Sequence, residues 1–218
     1  MNKLIKRASA PLLHWVYRRK TSRVSRYQYK GLDVTILPGV FHPFFTSSTR
    51  QLIDYLSSMD VENKSVLEFG AWNALISFYC AREGARVRAT DISDIALEGI
   101  EQNASNLNLS IEILYSDLFT SLQNRHWDLV IINPPYYPTP ANDIERAMYC
   151  GKDFQYFRKL FDQLKSRYSF ETEYLMILSE DCVRVTIENI ARSKGLKLSK
   201  QQKVKNFWQV NFIYTIEV

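Results

Sequence analysis

Apolar runs and amphipathic stretches alternate along the chain from residue 49 onward, which predicts strands and helices in turn. Short apolar runs predict strands at 65–69, 86–90, 111–115, 129–132 and 174–178, and two closing strands at about 196–204 and 207–217. Stretches with apolar residues at helical spacing predict helices at 49–58, 74–82, 93–107, 154–168 and 181–193. This alternation predicts an α/β fold in which helices cover both faces of a mostly parallel sheet.

The helical spacing also predicts which side chains face the core. In the helix at 93–107 the inward residues are expected to be Ile95, Ala96, Ile100 and Ala104. In the helix at 154–168 they are expected to be Phe157, Leu160, Phe161 and Leu164. Ser47 or Ser48 is expected to cap the helix at 49–58, and one or two short strands are expected within 27–34.

The most informative stretch is the run 129–132, which leads directly into Asn133-Pro134-Pro135-Tyr136. Such a run, ended by two prolines that cannot donate hydrogen bonds to a ladder, predicts a buried parallel strand. Pro135 also keeps Pro134 out of the helical region, so the backbone stays extended. Ligands of open α/β sheets bind beyond the carboxyl ends of the strands, which places Asn133 at the expected site.

The same tetrapeptide can hold one planar NH2 group. The side-chain carbonyl of Asn133 and the backbone carbonyl of Pro134 are both acceptors, and Tyr136 can stack on the π-face of the group. Two acceptors on one nitrogen direct its lone pair away from them, toward an electrophile. An Asn-Pro pair alone would favour a turn without chemistry, but the full tetrapeptide after a buried strand favours a catalytic role.

The tetrapeptide resembles the acceptor motif of class I S-adenosylmethionine-dependent N-methyltransferases. That group includes protein-glutamine methyltransferases acting on release factors, and amino-methyltransferases acting on adenine or guanine in nucleic acids. The resemblance covers roughly residues 40–218. It implies a Rossmann-like, seven-stranded, doubly wound sheet with the last strand antiparallel, and S-adenosylmethionine as cofactor.

The resemblance also implies which residues bind this cofactor. Asp91 follows Gly70 by about 20 residues, the spacing at which α/β nucleotide-binding folds place an acid for ribose hydroxyls. Asp117 and Leu118 correspond to the acid that holds the adenine amino group and to the apolar residue against the ring. The full expected cofactor set is Glu68, Gly70, Ala71, Trp72, Asp91, Ile92, Asp117, Leu118 and Asn133. A loop over the pocket adds Phe41, His42 and Phe44.

Two positions depart from the family pattern. Trp72 stands in the turn Gly70-Ala71-Trp72-Asn73-Ala74 where a glycine is usual, and Phe154 stands where the glutamine methyltransferases usually have glycine. Either the pocket is reshaped around Trp72, or cofactor binding is weak or lost. The second case would leave a methyltransferase-fold protein that binds RNA or membrane without chemistry. A nicotinamide-dependent dehydrogenase would share Asp91 but leaves the tetrapeptide unexplained.

Charge and cysteine usage add the remaining expectations. Residues 1–30 hold nine Lys or Arg and no acid, in a chain of net charge +5. This indicates an anionic partner, either RNA (or a ribosome) or a lipid surface, and suggests a basic extension at 1–35 before the methyltransferase domain at 36–218. Scattered Cys and His argue against a structural metal and for the cytoplasm. A base amine and a protein glutamine present the same NH2 geometry, so the substrate stays open.

Overall fold

The computed structural model describes residues 21–44, 47–138, 149–206 and 209–218. The first 20 residues of the basic extension and most of the proline-rich loop after the tetrapeptide lie outside these ranges. The expectations that concern them therefore stay predictions.

Seven strands form one mixed sheet in the order β5-β4-β3-β6-β7-β9-β8. Five neighbouring strands are parallel, and the last strand is antiparallel to both of its neighbours. These seven strands are β3 (Ser65–Phe69), β4 (Arg86–Asp91), β5 (Glu112–Tyr115), β6 (Leu129–Ile132), β7 (Glu173–Ser179), β8 (Lys197–Lys205) and β9 (Val210–Glu217). The predicted fold class is confirmed, and the strand order reverses between β3 and β6, where ligands of such sheets bind.

Helices connect the strands within the described residues. They are α1 (Ser48–Leu56), α2 (Leu75–Arg82), α3 (Asp94–Asn106), α4 (Gln155–Arg167) and α5 (Arg184–Ser193), with a short 3-10 turn at Lys152–Phe154 before α4. The last helix begins three residues later than predicted. The reason is a turn at its start, in which the backbone N–H groups of Asp181 and Cys182 bond to the hydroxyl and carbonyl of Ser179.

Each face of the sheet has its own buried cluster, because successive strand residues point to opposite faces. On one face, Leu129 and Ile131 pack with residues of α1, α2 and α3. On the other face, Val130 and Ile132 pack with α4 and α5. The predicted stripe of α4 is fully buried there, which confirms Phe157, Leu160, Phe161 and Leu164 as core residues.

Two local predictions were wrong. Ile95 is exposed. The buried stripe of α3 runs through Ala96, Gly99, Ile100 and Asn103, and Ile95 lies outside this stripe. Ser47 stands at the N-cap position, directly before α1, but its side chain makes no cap hydrogen bond. Its hydroxyl donates to Gln209 instead, so a tertiary contact replaces the local one.

A two-stranded hairpin precedes the sheet, with β1 at Ser25–Tyr29 and β2 at Leu32–Ile36. Alternate residues of β2, namely Leu32, Val34 and Ile36, are buried in the α1–α3 cluster. The inward Asn103 side chain bonds to both the N–H and the carbonyl of Thr35, at 2.7 and 2.8 Å. The hairpin thus packs on the body, while the domain boundary near residue 35 stays a prediction.

Candidate active site at the carboxyl ends of the strands

One cleft lies beyond the carboxyl ends of β3 and β6 and encloses about 510 Å³, including the part open to solvent. It brings together the predicted turn after β3 and the predicted tetrapeptide after β6. Its lining residues are Phe41, Ser48, Thr49, Glu68, Gly70, Ala71, Trp72, Asn73, Asn133, Pro134 and Tyr136. The topology of the sheet therefore places the turn predicted to bind the cofactor next to the tetrapeptide predicted to bind the substrate nitrogen.

The turn after β3 keeps a glycine-type backbone although only one residue in it is glycine. Gly70, Trp72 and Ala74 have φ values of 60°, 49° and 50°. The left-handed region costs a non-glycine residue roughly 1–2 kcal/mol. Asn73 supports the turn through its side chain. Its Oδ1 accepts the N–H of Leu75 at 3.1 Å and its Nδ2 donates to the carbonyl of Phe41.

Asp91 stabilises this turn from the end of β4. Its Oδ2 accepts the backbone N–H of Trp72 at 2.8 Å, and its Oδ1 accepts the N–H groups of Ile92 and Ser93. Burial raises the pKa of Asp91, while these three hydrogen bonds act in the opposite direction. The carboxylate therefore has a structural task in addition to the predicted ribose contact.

Glu68 is the second buried acid of the cleft. Its Oε2 accepts both the N–H and the hydroxyl of Ser77, at 2.9 and 2.5 Å. Burial raises the pKa of Glu68 to about 7, and the hydrogen bonds from Ser77 offset only part of this rise. The side chain is thus poised between its neutral and charged forms near neutral pH.

The predicted adenine side lies along the ends of β4 and β5, outside the lining of the cleft itself. Asp117 forms an ion pair with Lys159 of α4, and both side chains are about half exposed. Leu118 has a positive φ and is buried in the α4–α5 cluster. Burial raises the pKa of Tyr156, and the negative charges of Asp117 and Asp91 add to the rise.

The acceptor motif is oriented from α1. The side-chain nitrogen of Asn133 donates to Thr49 Oγ1 at 3.5 Å, so this contact does not use the carboxamide oxygen, which is an acceptor. Pro134 is buried and lines the cleft beside it, whereas Pro135 does not line the cleft. No sequence signal distinguished Thr49, because a threonine in the first turn of a helix is ordinary.

Tyr136 is fixed from behind by the last hairpin of the sheet. Its hydroxyl is hydrogen-bonded with the side chain of Gln209, and burial raises its pKa well above the usual range. Gln209 in turn accepts the Ser47 hydroxyl at 3.0 Å and donates to Ser179 Oγ at 2.9 Å. The ring of Tyr136 lies 4.8 Å from that of Tyr137. Sequence reasoning missed Gln209, since it lies more than 70 positions after the tetrapeptide.

The loop before α1 contributes less than predicted. Phe41 lines the cleft, but His42 and Phe44 do not. His42 is buried, with its ring edge-on to Tyr27 at 5.6 Å, and its Nδ1 accepts the N–H of Phe44. Packing against the β1–β2 hairpin explains why the histidine turns away from the cleft.

Two negative observations apply to the described residues alone. Within the four ranges given above, no three His, Cys, Asp or Glu side chains are grouped so that they could hold a metal ion. In those same ranges, every helix is too short or too polar to cross a membrane.

The comparison with known proteins agrees with this geometry. The family model described as methyltransferase small domain matches residues 31–149, which is more than half of the chain. The chain belongs to this methyltransferase family. The matched region includes β2–β6, the turn after β3 and the tetrapeptide.

Individual relatives fall into two substrate classes. The release factor glutamine methyltransferase of Streptococcus pneumoniae is 36% identical over 52% of this chain and 40% of its own length. The ribosomal RNA small subunit methyltransferase C of Chromohalobacter salexigens is 26% identical over 59% and 41%. The T. thermophilus 16S rRNA N2 methyltransferase, solved with AdoMet and guanosine, has a TM-score of 0.63 at 17% identity, over 88% of this chain and 50% of that one. The chain spans about half the length, or less, of these relatives.

Proposed function

We propose that this protein is an S-adenosylmethionine-dependent N-methyltransferase that acts on a planar amino or amide nitrogen of protein or RNA. The observation that carries the proposal is the position of Asn133. Asn133 and Pro134 line the same cleft as the turn after β3. The relatives of both substrate classes support this reaction type.

The residues along the strand ends fit the cofactor. A Cβ added to Gly70 would meet nothing within 4 Å, so the space in front of this backbone is open. Gly70, Ala71, Trp72 and Glu68 would hold the methionine part. Asp91 and Ile92 would hold the ribose, and Asp117 and Leu118 the adenine. When bound, the cofactor supplies an electrophilic methyl group.

The chain contributes alignment and charge stabilisation. The carbonyls of Asn133 and Pro134 accept the two N–H groups of the substrate and aim its lone pair into the cleft. The same two dipoles stabilise the positive charge that develops on the nitrogen. Thr49 keeps the Asn133 oxygen turned toward the substrate, and Tyr136 forms one wall. We assign no general base.

The atypical turn supports binding of the cofactor rather than its loss. Trp72 and Ala74 adopt the positive φ that glycine would adopt, and Asp91 stabilises that shape. No observation favours the alternative of a binding protein without chemistry.

The test is methyl transfer from labelled S-adenosylmethionine to RNA and to protein acceptors, with calorimetric titration of the cofactor. Asn133→Ala is expected to reduce turnover far more than it reduces cofactor affinity, because the side chain contacts the substrate. Asn124→Ala, at an exposed loop position outside the cleft, is the matched control. Equal losses of turnover and cofactor affinity in Asn133→Ala would show that the residue serves binding alone.

A further inference from the structure

A row of lysines follows β8, which is the outer edge strand of the sheet. Lys200, Lys203 and Lys205 pair across the ladder with Tyr214, Phe212 and Val210 of β9. Directly paired residues point to the same face of a sheet, and Tyr214 and Phe212 are buried on the α4–α5 face. All three lysines therefore lie on that one face.

A β-bulge makes this arrangement possible. The register shifts between Lys200 and Gln202, which inserts one extra residue into β8. Without the bulge, residues 200 and 203 would point to opposite faces, because side chains alternate. The extra residue restores them to the same face and gives a continuous row.

The charges in this row are available to a partner. The three lysines are exposed, and within the described part of the chain none of them lies within ion-pair distance of a carboxylate. Arg184 adds a fourth cation, with its guanidinium 3.9 Å from the centre of the Phe212 ring, and Lys203 lies 6.0 Å from the same ring. The nearby acids are Glu188, near the Tyr214 hydroxyl, Glu180, which accepts the N–H of Val210, and Asp181, which accepts the hydroxyl of Ser179. The four cations outnumber these three acids.

The row leads to the candidate active site. Strand β8 runs parallel to β7, since both are antiparallel to β9, so its Lys205 end lies at the carboxyl edge of the sheet. The residue that precedes the partner of Lys205 is Gln209, which bonds with Tyr136 of the acceptor motif. A chain bound along the lysines would therefore reach the cleft directly.

We propose that this row is a docking surface for the phosphate backbone of a single-stranded segment of RNA whose base amine enters the cleft. This inference rests on the proposed function and selects its substrate class. RNA is favoured over a lipid surface or an acidic protein because it carries both repeated phosphates for the row and planar amino groups for Asn133. Lysines on an edge strand also prevent aggregation, and the experiment must distinguish this role from RNA binding.

The experiment measures equilibrium binding of a labelled single-stranded RNA oligonucleotide of mixed sequence, by anisotropy, at several salt concentrations. The variant carries Lys200→Gln, Lys203→Gln and Lys205→Gln in the full chain. Three lost phosphate contacts should reduce the slope of log K against log salt by about 2. A control with Lys64→Gln, Lys152→Gln and Lys165→Gln has the same net charge and should keep the wild-type slope.

Three results would overturn the proposal: equal slopes for both triple variants, an unchanged slope with increased aggregation, or loss of binding to phosphatidylserine vesicles with RNA binding intact. If the triple variant does not fold, the single variants Lys203→Gln and Lys203→Arg replace it. Lys203→Gln should reduce the slope by less than 1, and Lys203→Arg, which keeps the charge, should keep the wild-type slope. Cofactor titration is run in parallel. If the lysine substitutions reduce the salt slope but the protein does not bind the cofactor, only the proposed function is refuted. If the protein binds the cofactor but the substitutions leave the slope unchanged, only the docking surface is refuted.

Discussion

The carboxylate of Asp91, at the end of β4, accepts the backbone N–H of Trp72, in the turn after β3, at 2.8 Å. One side chain thus stabilises the shape of this turn, and under the proposed function the same side chain also binds the ribose. Any substitution of Asp91 should therefore affect stability and binding together.

We expect Asp91→Asn to lower cofactor affinity by roughly ten- to a hundredfold, because hydrogen bonds of about 1–3 kcal/mol are lost. The same variant should unfold at lower urea concentration, since the NH2 group that replaces one carboxylate oxygen cannot accept the N–H which that oxygen accepts. Calorimetric titration and urea unfolding measure the two effects. Asp94→Asn, exposed in the first turn of α3, is the control. Unchanged affinity would remove Asp91 from the site.

Replacing Ala74 by glycine should be far less destabilising than replacing a buried alanine in regular helix. Ala74 has a φ of 50°, so glycine relieves strain there, whereas at Ala96 of α3 glycine only loses a methyl group and helix propensity. We expect the free energies of unfolding of the two variants to differ by about 1 kcal/mol or more. Both positions are fully buried, so the lost methyl contacts are matched. Equal losses would mean that the turn is unstrained.

Gln209→Ala should lower turnover by roughly three- to tenfold, which corresponds to one hydrogen bond of about 1 kcal/mol, and leave cofactor affinity nearly unchanged. Gln209 acts through Tyr136, so its effect should largely disappear in a Tyr136→Phe background. Gln202→Ala, exposed on the same hairpin, is the control. Additive losses in the double variant would show that Gln209 has no role through the tyrosine.

Glu68 predicts a pH dependence of stability for the cofactor-free protein. Burial raises its pKa to about 7 from 4.5, so the folded state binds the proton more tightly than the unfolded state. Stability from this group is fully present below pH 4.5 and is lost as pH rises through about 7, on the order of 3 kcal/mol in total.

Urea unfolding at pH 5 and pH 8 measures this loss. Glu68→Gln should remove most of the difference between the two pH values, because a neutral side chain has no proton to lose. Glu101→Gln, at an exposed position of α3, should behave as wild type. A wild-type difference that persists in Glu68→Gln would assign the pH dependence to other groups.

Much of the fold could be predicted from local pattern, since each strand of the parallel half is a short apolar run and each helix has one apolar stripe. The errors had two causes. A tertiary contact replaced a local one where the Ser47 hydroxyl bonds to Gln209 rather than capping its helix, and a local turn that begins at Ser179 delays α5. The tetrapeptide predicted Asn133 as a site residue. Thr49, which bonds with Asn133, and Gln209, which bonds with Tyr136, lie in distant parts of the chain. Only the fold brings them together.

The non-glycine turn after β3 has a consequence for the thermodynamics of binding. Glycine gives an unfolded or open turn many conformations, and each must be given up when a ligand orders the segment. Trp72 and Ala74 have far fewer conformations to give up, so a smaller entropy loss offsets part of the strain of their left-handed backbone. The turn is in effect preorganised before a ligand arrives, and cofactor binding should show a less unfavourable entropy than in relatives whose turn is glycine-rich.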